Sequence, residues 1–180
     1  MLAITVSTAE QLLTDVSGMT ATVRSVLVEE NGVRRYLRDL EPSKSYKDVR
    51  ITVSGKRGGV ISPPVELRQA LCQFMETYHA RQDVSFDCYK FACTVKGVPC
   101  HEKCFMLNYW SLRRLWFKPA VGTVVFYLSD DTLFHHAAVY IGYGLCISVW
   151  GAGGDLEVAS LKSMKKDFGA ERIFIAEPRF

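Results

Sequence analysis

The chain of 180 residues has 48% hydrophobic and 23% charged residues, which is ordinary for one globular domain and excludes a disordered or fibrous protein. Its net charge of +3 is dispersed, with no long basic run and no recognisable binding motif, so we expect no nucleic-acid partner. No apolar run approaches the roughly 18 residues that span a bilayer.

The N-terminus and the cysteines bear on where the chain works. The first residues, MLAITVSTAEQLL, lack a basic segment followed by a long apolar core, so we expect neither a signal peptide nor membrane insertion. This pattern favours a cytoplasmic protein, or one exported by a route that uses no signal peptide. The six cysteines would permit a disulfide framework in a secreted protein, but in a cytosolic setting we expect reduced thiols.

Residues 1–62 are predicted to be an N-terminal supporting segment. A Ser-Thr pair before Ala9 can cap a short helix that runs to Val16. The dipeptide Asn31-Gly32 is a strong signal for a two-residue hairpin turn. Alternating apolar residues between 49 and 53, followed by a glycine-rich turn, predict a second strand pair.

Residues 63–180 are predicted to form the core of what is a single compact domain overall, and this core begins with two helices. A Pro-Pro pair opens the first helix, from Val65 to His79. The stretch VSFDCYKFACTVKGV predicts the second, which begins at Cys88 with Asp87 as its N-cap and ends at Gly97.

A connecting region and an antiparallel sheet follow these helices. The mixed spacing of apolar residues from Leu107 to Trp116 suggests one irregular helix. The elements predicted after it are three strands, a helix and a final strand, at Thr123–Leu128, Ala137–Ile141, Leu145–Trp150, Leu161–Phe168 and Arg172–Ala176. A tight Gly-Tyr-Gly turn joins the second and third strands as a hairpin. Helices followed by an antiparallel sheet predict an α+β fold, with N-terminal helices packed on a central sheet.

Cys88 is the best candidate for chemistry in the chain. A cysteine in the first turn of a helix lies at the positive end of the helix dipole, near unpaired backbone N–H groups, and both favour the thiolate. A thiolate is a nucleophile. The alternative reading is a buried structural cysteine beside an ordinary N-cap.

A nucleophilic thiol needs a base, and the pair His135-His136 opens a predicted strand downstream. Because side chains alternate on a strand, one histidine should face the helix of Cys88 and the other should face away. His136 shares its face with Ala138 and Tyr140, and the small alanines leave room for a packed helix or a substrate. We therefore predict that His136 faces Cys88, with a surface histidine pair as the alternative.

The order of these parts resembles the NlpC-type family of papain-like cysteine peptidases and amidases. That family joins D-C-S-G-F on a helix to the strands P-G-D-L-V-F-F and H-V-G-I-Y-L-G. The matching residues in this chain are Asp87, Cys88, Phe91, Gly122, Val125, Phe126, Tyr127, His136, Tyr140 and Gly142. The resemblance covers roughly residues 75–176, whereas residues 1–62 match nothing recognisable.

The resemblance implies a papain-like fold and acyl transfer from an amide. Cys88 would attack the carbonyl, and His136 would protonate the departing amine before water releases the thioester. The family's third catalytic position falls on Ser148, which can accept the imidazole N–H. Tyr78 resembles the tyrosine that lies beside the nucleophile, and with Asp87 it is expected at the substrate or oxyanion. No cofactor and no metal are expected.

The sequence departs from the family and leaves other functions open. Tyr89 and Lys90 replace a small Ser-Gly pair, and Thr123 replaces an aspartate. The same fold could carry a glutamine deamidase or an acyltransferase that modifies a protein, or a pseudoenzyme. A structural zinc module is a further alternative, with the candidate ligands Cys93, Cys100, His101 and Cys104, although a second C-x₂₋₄-C pair is missing.

The substrate class follows from the resemblance alone. It implies a peptide or protein substrate, with cell-wall peptides of peptidoglycan as the typical class. The expected absence of a signal peptide fits poorly with a cell-wall substrate unless a dedicated secretion machine exports the chain, as with an antibacterial or host-directed effector or toxin. A cytosolic protein target also stays open.

Overall fold

The computed structural model describes seven strands between residues 2 and 61 by their backbone. It describes the side chains of residues 64–69, 87–100, 108–129, 133–151 and 157–179, and residue 156 by its backbone. Within these residues the fold is α+β, with an open antiparallel sheet of six strands and a few helices. The α+β prediction is therefore confirmed at this level.

The six-stranded sheet is the centre of the C-terminal part of the chain. Its strands are β8 (Trp110–Arg114), β9 (Val124–Ser129), β10 (Leu133–Gly142), β11 (Leu145–Val149), β12 (Leu156–Ser160) and β13 (Arg172–Pro178). They lie in the order β12-β11-β10-β9-β13-β8, and every neighbouring pair is antiparallel. The predicted hairpin between β10 and β11 is confirmed, with Gly142 opposite Leu145.

Both faces of this sheet are covered, which explains why β9 and β11 read as almost continuous apolar runs. On one face the alternate residues Phe126, Val139 and Ile147 form a core with helix α2, Cys88–Lys96. On the other face Tyr127, Tyr140 and Cys146 form a second core. The short helix α3, Leu161–Asp167, adds Met164 to that second core.

Helix α2 begins and ends where its sequence predicts. The carboxylate of Asp87 accepts the backbone N–H groups of Tyr89 and Lys90 at 3.0 and 2.9 Å, so it satisfies two donors of the first turn. Gly97 ends the helix with φ +62, a left-handed conformation that glycine adopts without strain. Helix α1 is described only at residues 65–69, and the rest of the predicted helix to His79 lies outside the described residues.

Strand β10 carries one irregularity that bears on the site. Phe134 lies opposite Leu128 but His136 lies opposite Tyr127, so β10 has one residue more than its partner. This is a β-bulge, with His135 as the extra residue. Because a bulge shifts the alternation, Phe134 packs on the core beneath α2 while His136 does not share that face.

The N-terminal strands form two further sheets. Five of them, β1 (Leu2–Val6), β4 (Val26–Glu30), β5 (Val33–Tyr36), β6 (Val49–Val53) and β7 (Gly59–Ile61), lie in the order β5-β4-β1-β6-β7. Glu30 pairs with Val33 across the predicted Asn-Gly turn, and β6 pairs with β7, so both predicted hairpins are confirmed. The contact between β1 and β6 is parallel.

Two predicted helices are strands in the structure. Within the segment 9–16, residues Gln11–Thr14 form β2, which pairs with β3, Thr20–Val23. Strand pairing there overrides a weak helix propensity. Trp110–Arg114, in the second predicted helix, forms β8 at the edge of the six-stranded sheet. Trp110 and Leu112 face the core while Ser111 and Arg113 are exposed, and this alternation is the period of a strand. Strand β12, Leu156–Ser160, is not among the elements predicted from the sequence.

Candidate functional site

Cys88 is the first residue of α2, and the residue is 8% exposed. It lies in the core between α2 and the sheet, at the positive end of the helix dipole. Asp87, predicted at the substrate or oxyanion, directs Oδ1 at the N–H groups of its own helix. Its described contacts are therefore those of an N-cap, which orients the first turn that carries the thiol.

Tyr89 fills the space where the resembling family has a small residue. Its ring is buried and packs edge-on against Phe134, with a second contact to Phe126. The Tyr89 hydroxyl accepts the indole N–H of Trp110 at 3.3 Å. Burial raises the pKa of Tyr89 well above its usual value. The Tyr89 ring is therefore part of the core between α2 and the sheet.

His136 and Ser148 meet on adjacent strands. The distance from Nε2 of His136 to Oγ of Ser148 is 2.6 Å, and both side chains are almost fully buried. The imidazole stacks on the ring of Phe168 with a centroid distance of 3.6 Å and an angle of 10°. Trp150 meets the imidazole edge-on at 6.2 Å.

The contacts of Ser148 indicate the tautomer of His136. A serine has one O–H to donate, and two carbonyl oxygens, of Ala137 at 2.8 Å and Val149 at 3.2 Å, lie within reach of Oγ. A carbonyl oxygen can only accept, so the serine hydrogen is best used there. Oγ then accepts the Nε2–H of His136, and Nδ1 keeps the lone pair of the neutral ring. The structure thus brings the predicted residues His136 and Ser148 together, on the face of the sheet away from Cys88.

Burial lowers the pKa of His136 to about 3. The cause is the loss of water around the ring, which penalises the charged imidazolium. At neutral pH the ring is therefore neutral, and in this arrangement it cannot form a thiolate–imidazolium pair. The lone pair on Nδ1 can accept a proton only if the ring becomes hydrated and a proton donor comes within hydrogen-bonding distance.

The structure does not bring His136 to Cys88. Cys88 belongs to the core that includes Ala137 and Val139, whereas the His136 ring lies on the opposite face, against Phe168. His136 lies on the face of Ala138 and Tyr140, as predicted, but the prediction that this face is covered by the helix of Cys88 is wrong. Helix α2 covers the face of the sheet that carries the larger aliphatic side chains. Helix α3 and Phe168 cover the opposite face, which carries His136 and Ser148.

The second histidine of the pair is bonded elsewhere. Nε2 of His135 lies 2.6 Å from Oγ of Ser129, at the end of β9. His135 is the extra residue of the bulge and is half-buried. Its described hydrogen bond does not involve α2, so His135 does not replace His136 as the partner of Cys88 here.

Some candidate residues lie outside the described part of the chain. These are Tyr78 and two of the four zinc candidates, His101 and Cys104. Cys93 and Cys100 are described, and both are free thiols. No group of three or more histidine, cysteine or carboxylate side chains among the described residues could hold a metal ion.

Sequence reasoning missed the aromatic side chains around His136. Phe168 follows α3 and Trp150 follows β11, and both pack on the second core. Neither lies in a motif, and their contact with the imidazole depends on how α3 docks on the sheet. The signal in the sequence is an aromatic residue directly after α3, the helix that adds Met164 to the same core.

Comparison with known proteins assigns no family to the chain. No protein-family model matches the sequence, and no match is found among curated proteins. In the part of the chain that the structure describes, no helix is both long enough and apolar enough to cross a bilayer.

Proposed function

We propose that the chain is a cysteine hydrolase of papain-like, NlpC-type fold that cleaves an amide bond in a peptide or protein. Cys88 is the nucleophile, His136 is the base and later the acid, and Ser148 orients the imidazole. A peptidoglycan peptide is the substrate class that the family resemblance implies, and an exported effector or toxin is the corresponding role. The same dyad could transfer the acyl group, or deamidate a glutamine.

The observation that carries this proposal is the buried hydrogen bond of 2.6 Å between His136 and Ser148. A neutral, buried imidazole costs free energy that an apolar side chain would not, so its presence needs a reason beyond packing. The bond holds Nε2 and leaves Nδ1 as the basic nitrogen. Cys88 begins a helix that packs on the same two strands, at the end where dipole and N–H groups favour a thiolate.

Catalysis on this scheme requires a movement. Rotation about χ1 cannot carry a side chain through a sheet, so Nδ1 and the Cys88 sulfur must come to the same side of β10. The bulge is the place where this can happen, because the register of β10 is already irregular there. If the bulge moved from His135 to Ala137, His136 would lie on the same face of β10 as Phe134. The ring of Phe134 contacts Tyr89, the residue next to Cys88.

The second candidate is a pseudoenzyme of the same fold. The separation of Cys88 from His136 by the sheet favours it. In that case the His136–Ser148 bond serves only to hold β10, β11 and α3 together. The two candidates differ in one measurable property, which is whether His136 changes the reactivity of the Cys88 thiol.

The test is the alkylation rate of Cys88 by iodoacetamide between about pH 5 and about pH 9, read for each cysteine by peptide mass. An enzyme should show Cys88 reacting fastest of the six cysteines near neutral pH. His136→Gln should slow that reaction, and His135→Gln is the matched control. Equal Cys88 rates in the wild type and His136→Gln would overturn the hydrolase and favour the pseudoenzyme.

Ser148→Ala separates two roles for the serine. If Ser148 orients a working base, the variant should alkylate more slowly at Cys88. If Ser148 instead anchors His136 away from the thiol, the variant should alkylate faster. Incubating wild-type protein and Cys88→Ala with peptidoglycan fragments and with cell lysate then identifies the reaction by mass, because hydrolysis and deamidation give different products.

A further inference from the structure

Two neighbouring aromatic side chains project from the surface directly after the edge strand β8. Trp116 is 70% exposed and Phe117 is 87% exposed. The other exposed large hydrophobic residues of the described chain, Val65, Leu133 and Tyr143, are not adjacent to one another in the sequence. Single exposed apolar residues are common on protein surfaces, whereas a contiguous exposed pair indicates a binding surface. We call residues 116 and 117 the aromatic tip.

The aromatic tip is held on both sides by contacts with the rest of the fold. Before it, the backbone N–H of Leu115 donates to the carbonyl of Ile173 on β13 at 2.9 Å. After it, Pro119 is buried. The two rings therefore project from a short connection whose ends are fixed, so that less conformational entropy is lost when they bind.

The side chains beside the aromatic tip are cationic. The guanidinium carbon of Arg114 lies 4.5 Å from the centroid of the Trp116 ring, which is a cation–π contact. Lys118 directly follows the tip and is exposed. A basic side chain therefore lies on each side of the two rings along the chain.

The described residues around the tip do not cancel this charge. Residues 108–129 include three basic side chains and no carboxylate. Residues 171–179, which contain the neighbouring strand β13, add two basic and two acidic side chains, so the two segments together carry a net charge of +3. One of the acids, Glu177, lies 3.4 Å from Arg113. The aromatic tip is thus presented by a positively charged part of the surface, which complements an anionic partner.

We propose that the aromatic tip attaches the chain to the surface of an anionic phospholipid bilayer. The rings of Trp116 and Phe117 enter the headgroup region, where aromatic side chains are favoured. The charged ends of Arg114 and Lys118 stay level with the lipid phosphates. A fluid bilayer accommodates protruding rings without a preformed pocket, whereas a protein partner would need a pocket that fits them. The contact is an attachment at the surface and does not span the membrane.

The experiment measures binding of the full chain to lipid vesicles by co-sedimentation and by tryptophan fluorescence. The probe is vesicles of equal parts phosphatidylcholine and phosphatidylserine, with pure phosphatidylcholine for comparison. We expect binding to the anionic vesicles, a shift of the emission to shorter wavelength, and weaker binding at high salt, which screens the charges. Trp116→Phe should still bind but lose the emission shift, because Trp116 is the exposed tryptophan of the chain.

Further variants separate the rings from the charges. Phe117→Ser should weaken binding about tenfold or more, because one ring no longer leaves water. Arg114→Gln and Lys118→Gln should each weaken binding about fivefold, and only to the anionic vesicles. The matched control is Tyr143→Ser, which removes an exposed ring from the turn at the other end of β10 and should bind as the wild type does.

Three outcomes would overturn the inference. One is a wild-type chain that does not bind the anionic vesicles. The second is a Phe117→Ser variant that binds them as tightly as the wild type. The third is self-association that Phe117→Ser abolishes, without binding to vesicles, which would assign the tip to contact with a second copy of the chain. The inference does not rest on the proposed hydrolase, because the readout is lipid binding and Cys88 takes no part in it.

Discussion

Removing the His136 imidazole should flatten the dependence of stability on pH. His136 has a folded-state pKa of about 3, against about 6.5 in an unfolded chain, so the unfolded state binds the proton more tightly. Below about pH 6.5 protonation of His136 therefore favours the unfolded state. The free energy of unfolding decreases as the pH is lowered from about 6.5 to about 3. Above about pH 6.5 the ring is neutral in both states and contributes no dependence.

The size of the stability loss follows from the difference between the solution pH and the ordinary pKa of histidine. At pH 5 the unfolded histidine lies about 1.5 pH units below its pKa, and each unit is worth about 1.4 kcal/mol, so the loss is about 2 kcal/mol relative to neutral pH. His136→Gln removes the titrating group and keeps an N–H that can donate to Ser148. Its stability should fall by about 2 kcal/mol less than that of the wild type between about pH 7 and about pH 5.

The assay is urea unfolding of both proteins at the two pH values, with His135→Gln as the matched control. The difference between the proteins cancels the contribution of the carboxylates. His135→Gln should keep the His136 contribution and fall with the wild type. An equal loss in the wild type and in His136→Gln would refute the reasoning, because His136 would then be titrating alike in the folded and unfolded chain.

Three further predictions concern stability and are checked by the same urea unfolding at neutral pH. Asp87→Ala should cost about 1 kcal/mol, because two N–H groups lose their cap; an unchanged midpoint would contradict the cap. Gly122→Ala should cost more than about 1 kcal/mol, since φ is +86 and the new Cβ would lie 2.7 Å from Cγ of Pro64; a stabilised variant would contradict that geometry. Tyr89→Phe should cost about 1–3 kcal/mol, as the buried N–H of Trp110 loses its acceptor; a neutral effect would show that the hydroxyl is not its partner.

Local signals in the sequence predicted the parts of the fold that depend on neighbouring residues. The cap at Asp87, the stop at Gly97 and the pairing of β4 with β5 depend on backbone conformation and nearby hydrogen bonds, and all three are in the structure. The segment at Gln11–Thr14 depends on a partner strand elsewhere in the chain, and its own propensity indicated a helix.

The candidate site shows the same division. His136 and Ser148 lie on adjacent strands that are joined by a short turn, and the register of such a hairpin can be predicted from the sequence. Their contact could therefore be predicted. The choice of the face that α2 covers follows from the total apolar surface on each side of β10, to which several distant strands contribute. No residue near the histidine pair encodes that choice.

The stack of His136 on Phe168 links the ionisation of one ring to the position of a helix end. Phe168 immediately follows α3 and keeps water from the imidazole. If α3 lifts from the sheet, the ring is hydrated and its pKa rises towards the ordinary value for histidine. The proton resonances of this one side chain, followed at mildly acidic pH, would therefore measure the fraction of molecules in which the helix is undocked.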